Sequence, residues 1–314
     1  PGRLGERGAR WRRAFVAMGP ERKPAIVLAH GLVHPLGAAT DVLLKRAYFR
    51  GVPEFLRRRG FRVLAPRVSN MGHVSERAEQ LRTRITAWDE LEPGERVVVV
   101  GHSMGGLDAR WLISNLNGDE LIETLVTIGT PHMGCCVADY VVDEVPLMSD
   151  VSLRLERIGL SLKALECLTR RHAKHFNEAC PDSADVRYFS ISGQKGENLS
   201  DYSPLLRPTL RYVAKQEGPN DGMVSVKSSI WGEHLGVMPF DHLEQIESLP
   251  VYDQVLKRFG RRDDDATVCG PLLAAAESAL NDSGSSQSAG ATATLATALP
   301  NAEQSCASSS FSRM

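Results

Sequence analysis

A serine hydroxyl attacks a carbonyl carbon only when a base takes its proton and the fold exposes it without crowding. The segment Gly101-His102-Ser103-Met104-Gly105-Gly106 offers residue types that fit those demands. It is a G-x-S-x-G pattern directly behind Val97-Val98-Val99-Val100, and helix-compatible residues run from Leu107 through Leu112. A sharp strand-to-helix turn strains its central residue, and glycines on either side remove side chains that would collide there. The serine is thereby lifted above the sheet at a helix N-terminus, whose dipole favours the negative charge that grows during acyl transfer. At average Gly and Ser usage, the bare pattern turns up in roughly one chain in ten of this length. The strand before it and the helix after it carry the argument.

A nucleophilic serine needs a base, and the base needs an orienting carboxylate. In α/β-hydrolases the chain order is Ser, then Asp or Glu, then His. His242, in Phe240-Asp241-His242-Leu243, stands just before the expected last helix, which makes it the favoured base, with His234 as runner-up. His132 follows only one element after Ser103 and reads as scaffold near the cap entrance. His172 and His175 fall in a basic run that reads as a solvated helix face. For the carboxylate, Asp221 in the turn Asn220-Asp221-Gly222 is favoured, placed after a strand. A plain turn is its bland reading, since these residues are ordinary turn formers. Asp241 is the alternative, although it adjoins His242. Two backbone N–H groups should face the oxyanion, one from Met104 and one from Leu32 in the loop after the first strand. His30, in the same loop, reads as a bracing residue.

The elements that must hold these groups are legible as a rhythm. Ala25-Ile26-Val27-Leu28 and the four valines are continuously apolar, as strands buried on both faces of a parallel sheet are. Phe61-Arg62-Val63-Leu64, Leu125-Val126-Thr127-Ile128 and Val186 to Ile191 read as further strands. Val74, Ala78, Leu81, Ile85, Trp88 and Leu91 recur every three or four residues, as one stripe of an amphipathic helix does. The fold class expected is α/β: an α/β-hydrolase fold, a doubly wound and mostly parallel sheet with a helical cap or lid inserted at about 135–180. There Leu155, Ile158, Leu162, Leu165 and Leu168 suggest helix. The domain is expected over 23–260, after a basic leader at 1–22. A tail at 261–314, low in complexity from about Asp282, is too rich in Ser, Ala, Gly and Thr to bury a core.

Lys+Arg 37 against Asp+Glu 38 gives no global field that would draw nucleic acid. No run approaches the roughly 20 apolar residues that span a bilayer. The cysteines form no C-x-x-C pair and no zinc spacing, and adjacent Cys135 and Cys136 read as small packing residues. The compartment is left open.

From Ile26 to about Ile246 the chain resembles the bacterial triacylglycerol lipases of the Pseudomonas and Burkholderia type. The resemblance rests on Ile26-Val27-Leu28-Ala29-His30-Gly31, Tyr48-Phe49-Arg50-Gly51-Val52-Pro53, the Ser103 motif and Gly129-Thr130-Pro131-His132-Met133-Gly134. It continues in His175-Phe176-Asn177, Asn220-Asp221-Gly222 and Asp241-His242-Leu243. It implies a lipid-ester hydrolase with Ser103, Asp221 and His242 as its triad and no organic cofactor. It also implies a lid opening onto an apolar acyl site, a transient contact with a lipid interface, and a structural calcium with Asp201 and Glu244 in ligand positions. The apolar stripe of the cap reads equally as ordinary packing. Other acyl enzymes (a phospholipase, thioesterase, short-chain esterase or acyltransferase) would use the same triad. A non-catalytic hydrolase-fold binding protein is the rival from another class.

Overall fold

The computed structural model describes residues 23–32, 48–69, 72–144, 162–196 and 198–259. All of these belong to the first of two compact units, Pro1–Gly260; the second is Arg261–Met314. The expected leader at 1–22, the middle of the cap at 145–161 and the tail at 261–314 lie outside the described residues.

Six parallel strands form one sheet: β1 (Ala25–Ala29), β2 (Arg62–Leu64), β3 (Val97–His102), β4 (Ile122–Ile128), β5 (Arg187–Gly193) and β6 (Glu233–Met238). Their order is β2-β1-β3-β4-β5-β6, so the strand that leads to Ser103 lies inside the sheet. The continuous apolar runs have a direct cause. Ile26, Leu28, Val98, Val100, Val126 and Ile128 pack on one face, against α1 (Val52–Arg58) and the last described helix. Val27, Val97, Val99 and Leu125 pack on the other, against α2 (Val74–Thr86) and α3 (Met104–Asn115). Covered on both sides, each strand needs apolar residues at successive positions.

The remaining helices used below are α4 (Leu162–Glu166), α5 (Arg170–Ala179), α6 (Arg207–Glu217) and α7 (Leu249–Phe259). Helical turns also run over Cys136–Asp139 and Tyr140–Glu144 in the expected cap. Two expectations are corrected. The apolar stripe of α2 extends to Leu91 in sequence, but the helix ends at Thr86. Trp88, which is buried, and Leu91 reach the same core from the loop that follows. The element before Asn220 is a helix, α6, and not a strand: Leu210 and Val213 bury one face at i, i+3 spacing. Among the described residues, no helix is long and apolar enough to cross a membrane.

Candidate active site

Ser103 occupies the turn between β3 and α3 with φ 54° and ψ −127°, a backbone conformation that L-residues rarely hold. The turn is fixed from both sides. Ser103 N donates to Ile128 O at 2.9 Å, and Thr130 Oγ1 donates to Ser103 O at 2.8 Å. The motif glycine after it is required by contact, because a Cβ on Gly105 would lie 2.2 Å from Ala29 O. Gly31 meets the turn from β1, where a Cβ would lie 2.8 Å from Ser103 Cβ. The chain from Gly31 to Leu32 can therefore pass against the serine only without a side chain at position 31.

Three side chains distant in sequence meet here. His242 Nε2 lies 3.1 Å from Ser103 Oγ, and its Nδ1 lies 2.8 Å from Asp221 Oδ2. With Nδ1–H donating to the carboxylate, Nε2 keeps a lone pair aimed at the hydroxyl, the tautomer a general base requires. Asp221 is buried, and its charge is met in full. Oδ1 accepts Met223 N at 3.0 Å and Val224 N at 2.8 Å, while Oδ2 accepts Gln245 Nε2 at 2.9 Å. The backbones of the two loops are joined as well, His242 N donating to Asp221 O at 2.9 Å. Met104 opens α3, so its N–H is among the amides that a helix leaves without an internal partner. Leu32 packs beside Met104 in one apolar cluster, which brings the second oxyanion candidate to the same side.

The other sequence candidates lie elsewhere. Asp241 does not reach the imidazole. Its Oδ2 accepts Ser203 N and Oγ, both at 2.7 Å, and its Oδ1 caps Leu243 N and Glu244 N. His234 is on β6, at the sheet edge, with Nδ1 3.3 Å from Ser190 Oγ. His132 is buried behind the site, its Nε2 3.0 Å from Thr127 Oγ1 and its ring stacked on Trp231. His30 braces its loop: Nδ1 lies 2.7 Å from Gly31 O, and Nε2 accepts Val68 N. Burial and the nearby Arg77 push its pKa down to about 4, so it stays neutral. His172 departs from a solvated face, being half-buried and turned toward His73.

Sequence reasoning passed over several residues that shape the site. Gln245 holds Asp221. Tyr48 OH lies 2.7 Å from His102 Nδ1, whose ring is 4.7 Å from that of His242. Burial keeps His102 well below the usual histidine pKa, so it adds no charge beside the imidazole. Arg77, fully buried in α2, bridges Asp108 of α3 and the carbonyl of His30 at 2.7 Å. The one sequence signal for it is a cation set at i+3 from Val74, next to the apolar stripe.

Comparison with known proteins gives the family. The model of the PGAP1-like alpha/beta domain matches residues 70–145. Triacylglycerol lipase 2 of Saccharomyces cerevisiae is 35% identical over 211 residues, 65% of this chain and 63% of the yeast protein. The chain thus spans under two thirds of that relative's length. A triacylglycerol lipase of Vibrio cholerae is 30% identical over 263 residues, 71% of this chain and 80% of its own. The chain belongs to the triacylglycerol lipase family of carboxylic-ester hydrolases. Solved structures agree on the fold of this family member. The mature form of a Bacillus licheniformis lipase superposes with TM-score 0.62 at 20% identity, over 77% of this chain and 94% of that one. A Staphylococcus hyicus lipase gives 0.60 at 16%, over 77% and 96%.

The carboxylates at the expected calcium positions have partners of the chain's own. Glu244 Oε1 is 2.7 Å from Lys195 Nζ, and its Oε2 accepts Asp241 N at 3.0 Å. Asp241 and Asp201 act on the same ammonium. A calcium ion bound by Glu244 would have to displace Lys195 from it.

Proposed function

We propose that Ser103, His242 and Asp221 hydrolyse the carboxylic esters of lipids through an acyl-serine intermediate. The observation that carries this reading is the continuous chain Ser103 Oγ–His242 Nε2, His242 Nδ1–Asp221 Oδ2, at 3.1 and 2.8 Å. Attack of Oγ on the ester carbonyl forms a carbon–oxygen bond as the serine proton passes to His242 Nε2. The N–H groups of Leu32 and Met104 hold the oxyanion. Collapse expels the alcohol, which takes the proton back from His242 and leaves the acyl group on Ser103. Water, deprotonated by the same nitrogen, then releases the acid. Asp221 keeps the imidazole in the working tautomer and stabilises the imidazolium. The Lys195–Glu244 pair, with Glu244 also accepting the Asp241 amide, braces the loop that bears His242.

The family supports lipid esters as the substrate class. The test is hydrolysis of p-nitrophenyl esters of short and long acyl chains by the parent and by Ser103→Ala. The expected result is turnover of long-chain esters that falls to background in the variant, a loss of roughly 10⁶-fold in kcat. Activity confined to short chains would overturn the lipid assignment. Hydrolysis indifferent to the substitution would overturn the triad.

A further inference from the structure

One cluster outside the triad brings together groups with no shared task in ester hydrolysis. His73 caps the N-terminus of α2, Cys167 follows α4, and His172 lies in the first turn of α5. A ligand atom from each lies within 4.8 Å of the other two. The rings of His73 and His172 meet edge to face at 5.6 Å. His172 Nε2 is buried without a hydrogen-bond partner, an unfavourable state for a polar atom unless something else takes its lone pair. His73 Nδ1 lies 2.9 Å from Ser75 Oγ. The same nitrogen accepts the Ser75 amide at 3.3 Å as the helix cap. Metal binding through Nε2 moves the ring proton to Nδ1, which then donates to Ser75 Oγ, the outer partner a metal-bound histidine needs. The Cys167 side chain is buried, and the amide of Val74, the first residue of α2, points at its sulfur. The thiol donates to Lys163 O at 3.3 Å.

We propose that His73, Cys167 and His172 form a zinc site that ties the N-terminus of α2 to the base of the cap. Two imidazoles and a thiolate are a borderline-soft set that suits Zn²⁺ and does not suit calcium or magnesium. Tetrahedral bonds of about 2.0–2.3 Å put donors about 3.5 Å apart. The three must therefore close by about 1 Å, within reach of χ rotations in two half-buried imidazoles. Binding forms one zinc–sulfur and two zinc–nitrogen bonds and sends the thiol proton to solvent. Water completes the fourth position from the half-exposed side. The ion would cross-link α2, whose Arg77 anchors the oxyanion loop, to the α4–α5 segment, and it takes no part in the acyl chemistry.

Metal content tests this independently of turnover. The full chain, loaded with zinc acetate and dialysed exhaustively, is expected to retain one zinc and to melt at a higher temperature than the chelated protein. Calcium acetate is expected to leave the melting temperature unchanged. Cys167→Ser and His172→Gln, each verified as folded by circular dichroism and by ester hydrolysis, should bind zinc at least about 100-fold more weakly. Cobalt loading should show a sulfur-to-cobalt charge-transfer band that Cys167→Ser abolishes. Sub-stoichiometric zinc in the parent, or undiminished zinc in both variants, would overturn the site. So would a cobalt complex without the thiolate band.

Discussion

The working geometry of Asp221 depends on a residue that touches no reacting atom. A buried carboxylate keeps its charge only if its oxygens are met. Two backbone amides meet Oδ1, while the oxygen that faces His242 has Gln245 Nε2 as its other partner. Gln245→Met keeps the volume and removes this donor, so Asp221 should shift in the plane of the imidazole. Hydrogen bonds to charged groups contribute about 1.5–3 kcal/mol. We expect kcat on a p-nitrophenyl ester to fall at least about 10-fold with KM unchanged, in a protein that still folds. An unchanged kcat would remove Gln245 from the positioning of the triad. At this scale the sequence was informative where chemistry restricts residue type. Serine in a glycine-flanked turn, histidine before the last helix and aspartate in a turn stand out, and the fold brings the three together. Gln245 did not stand out, and Tyr48 did so only as part of a resembling segment, because glutamine and tyrosine are ordinary in a helix or loop and acquire a role only through what lies opposite in space.

Between elements, the contact of greatest consequence is polar. Arg77 of α2 and Asp108 of α3 form a fully buried ion pair, and the same guanidinium donates to His30 O at the end of β1. Removing one partner of such a pair strands the other, at a cost of about 3–5 kcal/mol, whereas replacing both with apolar groups of similar size is often neutral. Arg77→Met should therefore lower the urea midpoint sharply, and Arg77→Met with Asp108→Leu should recover most of the loss. Hydrolysis should recover less than stability, since the double variant still lacks the bond that steadies the oxyanion loop. Equal destabilisation by the single and double variants would show that the pair is not coupled. The strands and the core of α2 were legible because burial on two faces and a 3.6-residue period both leave marks in one dimension. The helix before Asn220 and the end of α2 were not. A loop residue such as Trp88 fills the same core as the helix before it, and periodicity does not register where the chain stops turning.

Across the whole molecule, the buried histidines set how the fold responds to acid. His30, His102 and His132 are nearly or fully shielded from solvent, and burial lowers the pKa of each; nearby charge adds to this from Arg77 on His30 and from Arg110 on His132. In the unfolded chain each takes up a proton near pH 6.5. The folded protein refuses it, at His30 until about pH 4. Between these limits the unfolded state binds more protons than the folded one, so stability rises with pH and is lost as pH falls through the window. For His30 alone, the separation of its two pKa values corresponds to about 3 kcal/mol over the window. The urea-derived stability should decline steadily on acidification from about pH 6.5, before most carboxylates titrate. His30→Asn, which cannot titrate, should reduce that slope by about one proton, or about 1.4 kcal/mol per pH unit at most. If the variant and the parent lose stability along the same slope, His30 is not held neutral by the fold. The acid sensitivity would then belong to the other buried histidines.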